Sequence, residues 1–212
     1  TASPKSEVKL GEALVSLFSR GAFILALFYW GLLGLAGWAV VGWMPTYLNE
    51  HFHLSQGTAG LSATGYLQAA ALVGVLLGGV WADRWSRTNP RAPILVPVIG
   101  LCIAAPGILL SGTTDTLYLA IAGLVVFGVT KSFSDSNMMP ILSLVADTRY
   151  RATGYGVLNL CSCTVGGLTV YAGGALRDAH IDVNRIFQFA AVSILVCATL
   201  LFFVKPKTPP AS

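Results

Sequence analysis

Lys131 and Asp135 stand four residues apart in a stretch from Thr116 to Ala146 that carries no other charge. On a helix that spacing stacks both side chains on one face, so an ammonium and a carboxylate share one site. Ser132, Ser134, Ser136 and Asn137 make the neighbouring turns polar. Such an ammonium is a natural anchor for a carboxylate or phosphate, while the aspartate can modulate its charge or carry a proton. The solute that chemistry selects is anionic or polyhydroxylated. The competing reading is a structural ion pair whose charges only neutralise each other. Lys preceding the acid is the weaker order for an i,i+4 pair, and apolar residues would serve a structural site at lower desolvation cost. Both points favour a solute or proton pathway.

The elements that must position this pair follow from composition. The chain is 55% apolar and 10% charged, whereas soluble domains carry charge on about a quarter of residues. Uncharged runs extend from Gly21 to Asn49, His51 to Ala82, Ala92 to Thr114, Ala152 to Leu176 and Ile186 to Val204. A helix crosses the bilayer core in about 20 residues. These runs and the Lys131 stretch predict six transmembrane helices, at 22–48, 57–82, 92–111, 117–145, 152–176 and 186–204. Continuous apolar runs disfavour a barrel, whose strands alternate polar and apolar. The expected fold is therefore an all-α integral membrane bundle over residues 21–204. A cytoplasmic amphipathic lead-in occupies 1–20, with Val8, Leu10, Leu14, Leu17 and Phe18 set among Lys9, Glu12 and Arg20, and a cytoplasmic tail occupies 205–212.

Orientation follows from the excess of Lys and Arg that cytoplasmic loops keep. Lys5, Lys9, Arg20, Arg84, Arg87, Arg91, Arg149, Arg151, Lys205 and Lys207 all fall on one side of the predicted membrane. Both termini are thus expected in the cytoplasm, with the chain in the cell (inner or plasma) membrane. The same asymmetry explains the net charge of +4 and argues against a nucleic-acid partner, which would need a basic stripe with interleaved aromatics.

Gln68 and Asn159 are further candidates for the solute site, because mid-membrane amides need hydrogen-bonding company; interhelical glue is the equal alternative. Tyr29 joins them from a first helix rich in aromatics, which also holds Trp30, Trp38, Trp43 and Tyr47. Trp43 and Tyr47, near its outer end, read as interface anchors. Small residues recur every four positions at Ala70, Gly74, Gly78 and Ala82, and again at Ser162, Gly166 and Gly174, which permits close helix contact inside this chain or with another unit. Cys102, Cys161, Cys163 and Cys197 fall within spans and read as packing residues, and His51 and His53 as solvated loop residues. No metal site and no cofactor are expected. Metalloprotease, nucleophile-elbow and phosphate-loop motifs are absent from the sequence.

At the cytoplasmic end of the second span, Gly78, Gly79, Asp83, Arg84 and Arg87 form a pattern that resembles the loop motif of the major facilitator superfamily. Trp85-Ser86-Arg87 replaces the fuller Gly-Arg-Arg ending. The run from Asp147 through Arg149 and Arg151 to Gly156 is also similar to a C-terminal half of that family. Together with Gly42 to Leu48, it looks most like the anion:cation symporters of organic anions and sugar acids, with Spinster-like and sugar-phosphate carriers close by. The resemblance implies two inverted three-helix repeats forming half of a carrier that works by alternating access. It also implies that Gly79, Asp83, Arg84 and Arg87 brace a cytoplasmic gate.

The expected function is accordingly that of a transporter half, moving a sugar acid or organic anion, coupled to protons and not an enzyme. Its partners would be a small solute, the lipid bilayer and an N-terminal six-helix half or a second copy. A first residue other than Met is in keeping with a fragment or a separately encoded half. The alternatives are a non-transporting scaffold or assembly subunit, or a carrier of sugar phosphates or neutral sugars.

Overall fold

The computed structural model describes residues 10–204. The lead-in residues Lys5, Val8 and Lys9 and the tail 205–212 lie outside the described residues. Within them, α1 (Leu10–Phe18) precedes α2 (Gly21–His51), α3 (Gln56–Ser86), α4 (Ala92–Thr113), α5 (Leu117–Ser136), α6 (Met138–Val145), α7 (Arg151–Asp178) and α8 (Val183–Phe203). A 3-10 turn, Thr148–Tyr150, joins α6 to α7. These elements supply six spans that are long and apolar enough to cross a membrane, α5 and α6 together forming the fourth.

Local chemistry sets the boundaries. Ser55 caps α3 by accepting the Thr58 N–H at 3.2 Å, satisfying one of the donors a helix start leaves open. Pro93 lies in the first turn of α4, where its missing N–H costs nothing. Helices α2, α3 and α7 run several residues beyond their apolar stretches, because hydropathy marks the hydrocarbon layer and a helix can continue past it. The predicted continuous helix over 117–145 instead breaks at Asn137, between α5 and α6. Pro140 has no N–H to return to the carbonyl of Ser136, and its ring crowds that carbonyl.

Packing follows an internal symmetry. Helix α2 packs on α7 as α5 packs on α3, and α8 packs on α2 as α4 packs on α5. Helices α4 and α8 pack on each other. Exchanging α2, α3 and α4 for α5/α6, α7 and α8 therefore reproduces these contacts, as two inverted three-helix repeats require.

Small residues set how closely these pairs approach. Ala70, Gly74, Gly78 and Ala82 are all buried. A methyl group at Gly74 would strike the carbonyl of Val129, and one at Gly78 the backbone of Phe133. This ridge is filled by α5. On α7, Ser162 lies against Gly34, and the Trp38 ring covers Gly166. Both ridges are used inside the chain, so neither is an open docking face. Trp43 and Tyr47 also depart from their expected role as interface anchors. The Trp43 indole covers Gly173, and buried Tyr47 meets Phe187 edge-on at 5.4 Å. Of the cysteines, all free, Cys197 is buried and Cys161 partly so, while Cys102 and Cys163 are exposed and do not pack inside the chain.

The two ends of the bundle differ in charge. At one end Arg20 pairs with Asp147 at 3.4 Å, and Arg91 donates to the Phe202 carbonyl at 2.8 Å. At the other, Arg177 pairs with Glu50, and His51 Nε2 lies 3.1 Å from Asp115. Helix α1 buries Ala13 and Leu17 and exposes Leu10, Val15 and Phe18, an apolar outer face suited to the membrane surface.

Gly74→Leu should therefore disrupt the α3–α5 contact at a cost of about 1–3 kcal/mol, the range for overpacking. Thermal unfolding in detergent will show this as a lower midpoint. Gly79→Ala, where a methyl group meets Ser136 Cβ only at 3.9 Å, should not lower the midpoint, since alanine favours the helix over glycine.

Candidate functional site

Four helices wall a cleft of about 250 Å³ around Lys131. Helix α5 contributes Lys131, Ser132 and Asp135, and α2 contributes Trp30, Gly34, Gly37, Trp38 and Val41. Leu67, Gln68 and Ala71 come from α3, and Ser162 from α7. The α2 residues recur at three- and four-residue intervals, which places them on one stripe of the helix. The two glycines of that stripe face different neighbours: Gly34 lies against Ser162 of α7, and Gly37 faces the lysine stem. A methyl group at Gly37 would lie 3.9 Å from Lys131 Cε, in ordinary contact.

The charged pair is bidentate. Lys131 Nζ donates to Asp135 Oδ1 at 3.0 Å and to Oδ2 at 2.9 Å, leaving one of its three donors for another acceptor. The lysine side chain is 23% exposed and the aspartate 41%. That openness screens the pair and keeps both groups within reach of a solute. Trp30 is buried and Trp38 half exposed, giving the cleft flat apolar walls beside its charges.

Of the residues singled out from sequence, the cleft brings together Lys131, Asp135 and Gln68. Asn137 is not part of it. It is buried at the α5–α6 break, where its amide donates to the Phe133 carbonyl at 2.8 Å, to Ser136 Oγ at 3.2 Å and to the Gly78 carbonyl at 3.5 Å. The freed backbone of the break, rather than a solute, occupies that side chain. Asn159 is exposed on α7 and does not line the cleft. Tyr29 is fully buried behind the cleft, edge-on to Trp30 at 5.1 Å. Trp30, Trp38, Ser132 and Ser162 are site residues that the sequence reading did not assign. For the two tryptophans the signal was the glycine-spaced stripe on α2.

The sequence motif and the fold together lead to a family. Residues 1–170 match the profile described as Major Facilitator Superfamily. The chain belongs to that superfamily. Its members are transporters, which sets the enzyme reading aside, and the chain is a multi-pass membrane protein. The ectoine/proline transporter ProP of Corynebacterium glutamicum is 24% identical over 178 residues, 82% of this chain and 34% of that protein. Two crystal structures of a bacterial homologue of the human lysosomal transporter Spinster, both inward-facing, share the fold at 19% identity. The unoccupied form matches with a TM-score of 0.66 over 96% of this chain and 50% of its own. The occupied form matches at 0.72 over 92% and 52%. The chain thus spans about a third of the curated relative and about half of each solved chain.

The major facilitator loop motif lies at the basic end of α3, where Asp83, Arg84 and Arg87 are exposed. None of the three forms an ion pair with another described residue. Gly79 makes only loose contact, whereas its neighbour Gly78 is the position where α3 and α5 touch. Trp81 stacks on Trp85 at 6.1 Å and meets Phe133 edge-on at 5.9 Å, fixing this end of α3 to α5.

The openness of the Lys131–Asp135 pair sets its expected strength. A cycle of Lys131→Ala, Asp135→Ala and the double variant, read by unfolding in detergent, should give a coupling of about 0.2–1 kcal/mol. A coupling of several kcal/mol would instead identify a desolvated structural bridge.

Proposed function

We propose that the chain is the six-helix half of a secondary active transporter. It moves a small anionic or polyhydroxylated solute, of the sugar-acid or organic-anion kind, by proton-coupled alternating access. The observation that carries this reading is the bidentate Lys131–Asp135 pair, open to a cleft walled by α2, α3, α5 and α7.

That pair is a coupling device. With Asp135 ionised, its carboxylate holds the ammonium. When Asp135 takes a proton, it loses most of its attraction for Lys131, which is then available to the carboxylate of a solute. Proton and solute load together. Loss of the proton restores the internal pair and releases the solute, so the cycle is a symport. Gln68, Ser132 and Ser162 offer hydrogen bonds to hydroxyl groups, and Trp30 and Trp38 offer faces to a ring.

The site is completed by an N-terminal six-helix half or by a second copy. That reading is supported by the cleft's exposure and by the chain's spanning about half of each solved chain. The basic end, with the gating residues Gly79, Asp83, Arg84 and Arg87, faces the cytoplasm of the cell membrane, by the bias of Lys and Arg toward that side. A scaffold role is weakened because both small-residue ridges are filled within the chain.

A second reading is a zwitterionic solute. A carboxylate and an ammonium in one cleft can take both of its charges, and ProP is named as an ectoine/proline transporter.

Uptake of a labelled sugar acid, an organic dicarboxylate, proline and a neutral sugar into proteoliposomes tests these readings. The chain is reconstituted alone and with an N-terminal half. Uptake should require both halves and should favour the anions. Lys131→Ala should lower it tenfold or more, the equivalent of a charged hydrogen bond at about 1.5–3 kcal/mol. Wild-type uptake by that variant would remove Lys131 as the anchor. Asp135→Asn should flatten the dependence of uptake on pH, and an unaltered profile would remove it as the proton carrier. Preferential proline uptake, lost in both variants, would establish the zwitterionic reading.

A further inference from the structure

Helices α7 and α8 touch only slightly, although their symmetry mates α3 and α4 pack more fully. The gap between α7 and α8 is a groove of about 590 Å³ floored by Leu35 of α2. Its walls are apolar, with Leu168, Ala172 and Gly173 on one side and Ile186 and Phe189 on the other. Arg185 lies at the rim.

We infer that this groove binds one anionic membrane phospholipid, with an acyl chain between α7 and α8 and the phosphate on Arg185. Three observations select a lipid over another helix. First, the groove opens onto the lipid-facing side of α8. Phe189 continues into Val192, Val196 and Thr199 at three- and four-residue spacing, all exposed. The lone hydroxyl of that strip donates back to the Leu195 carbonyl at 2.9 Å, as hydrocarbon demands. Second, Leu35 is turned roughly 115° from the centre of the α2 stripe that lines the Lys131 cleft, at 3.6 residues per turn. The groove is therefore not part of the solute site. Third, its α7 wall from Val165 to Leu176 is about 16 Å long at 1.5 Å per residue, close to one leaflet of the ~30 Å hydrocarbon core.

Charge places the headgroup. The Arg185 guanidinium donates to Gln188 Oε1 at 3.2 Å and forms no ion pair with another described residue. It stands in the first turn of α8, where the helix dipole adds to its attraction for a phosphate. The neighbouring Arg177 is engaged by Glu50, and Asp182 lines a separate small pocket with Glu50 and His51. Arg185 is the charge the groove offers.

Native mass spectrometry of the detergent-purified chain, titrated with phosphatidylglycerol or phosphatidylcholine, tests the site. One phosphatidylglycerol should be retained with about fivefold preference, the worth of a single basic residue near a lipid headgroup. Arg185→Gln should erase the preference while lipid still binds. Ala172→Phe should fill the groove and abolish retention of both lipids. Leu168→Trp serves as a second blocking variant, and unchanged thermal midpoints confirm folding. Equal retention by the folded blocking variants would overturn the proposal. Competition by soluble glycerol 3-phosphate would also overturn it, by making Arg185 a free-anion site. Displacement of the lipid by an added N-terminal half would overturn it by making the groove an interface between halves.

Discussion

An ammonium in the middle of a membrane-length helix must face protein or water, since exposing it to lipid costs at least about 2.5–3.5 kcal/mol even on insertion scales. Much of the bundle can be traced from that constraint on Lys131. Asp135 on the next turn neutralises it. Gly37 of α2 faces its stem, and α3 and α7 complete a polar recess beside it. The small residues of α3 bring that helix close against α5, where Leu67 and Ala70 meet Gly128 at the edge of the cleft and Gly74 meets Val129.

The architecture was legible because the bilayer imposes its own length on a sequence. Runs such as Gly21 to Asn49 and Ile186 to Val204 have no soluble counterpart of equal length and apolarity, and helices are the form that satisfies every backbone group in hydrocarbon. The Lys131–Asp135 pair was legible for the same reason. Two charges in such a run demand an explanation, and helical spacing already places them on one face. Gln68 was legible as a mid-span amide. Its selection over Asn159 was not, because a helix has several faces and hydropathy does not say which one meets a cleft.

Asn137 shows where reasoning from local polarity fails. It extends the polar run that begins at Lys131, yet its amide is occupied by the backbone of the break that Pro140 creates. Pro140, five residues after Asp135, was the signal for the break, since proline interrupts the helical ladder there. The tryptophans of α2 show the converse. Trp30 and Trp38 line the cleft, while Trp43, just over one turn further, covers Gly173 of α7. The sequence set Trp43 apart only by its position near the outer end of the helix, where it read as an interface anchor. Trp38 and Trp43 both cover glycines of α7, Gly166 and Gly173, and it is the level of Lys131 on α5 that makes Trp38 a cleft residue and leaves Trp43 outside it.

The symmetry of the two repeats supplies the last step. It departs at α7, which packs loosely on α8 and barely meets α5, although α3 packs on both α4 and α2. Helix α7 is the least buried of the six spans, and its main contact is with α2. It lends Ser162 to the cleft while Leu168 and Ala172 line the outer groove. One helix therefore borders the polar recess and the hydrocarbon, with glycines at Gly166 and Gly173 taking the indoles of α2 between the two. A shift of α7 along α2 would change both surfaces together. Helix α2 also borders both, with Leu35 at the groove and Gly34 and Trp38 at the cleft, so the α2–α7 contact separates the two surfaces.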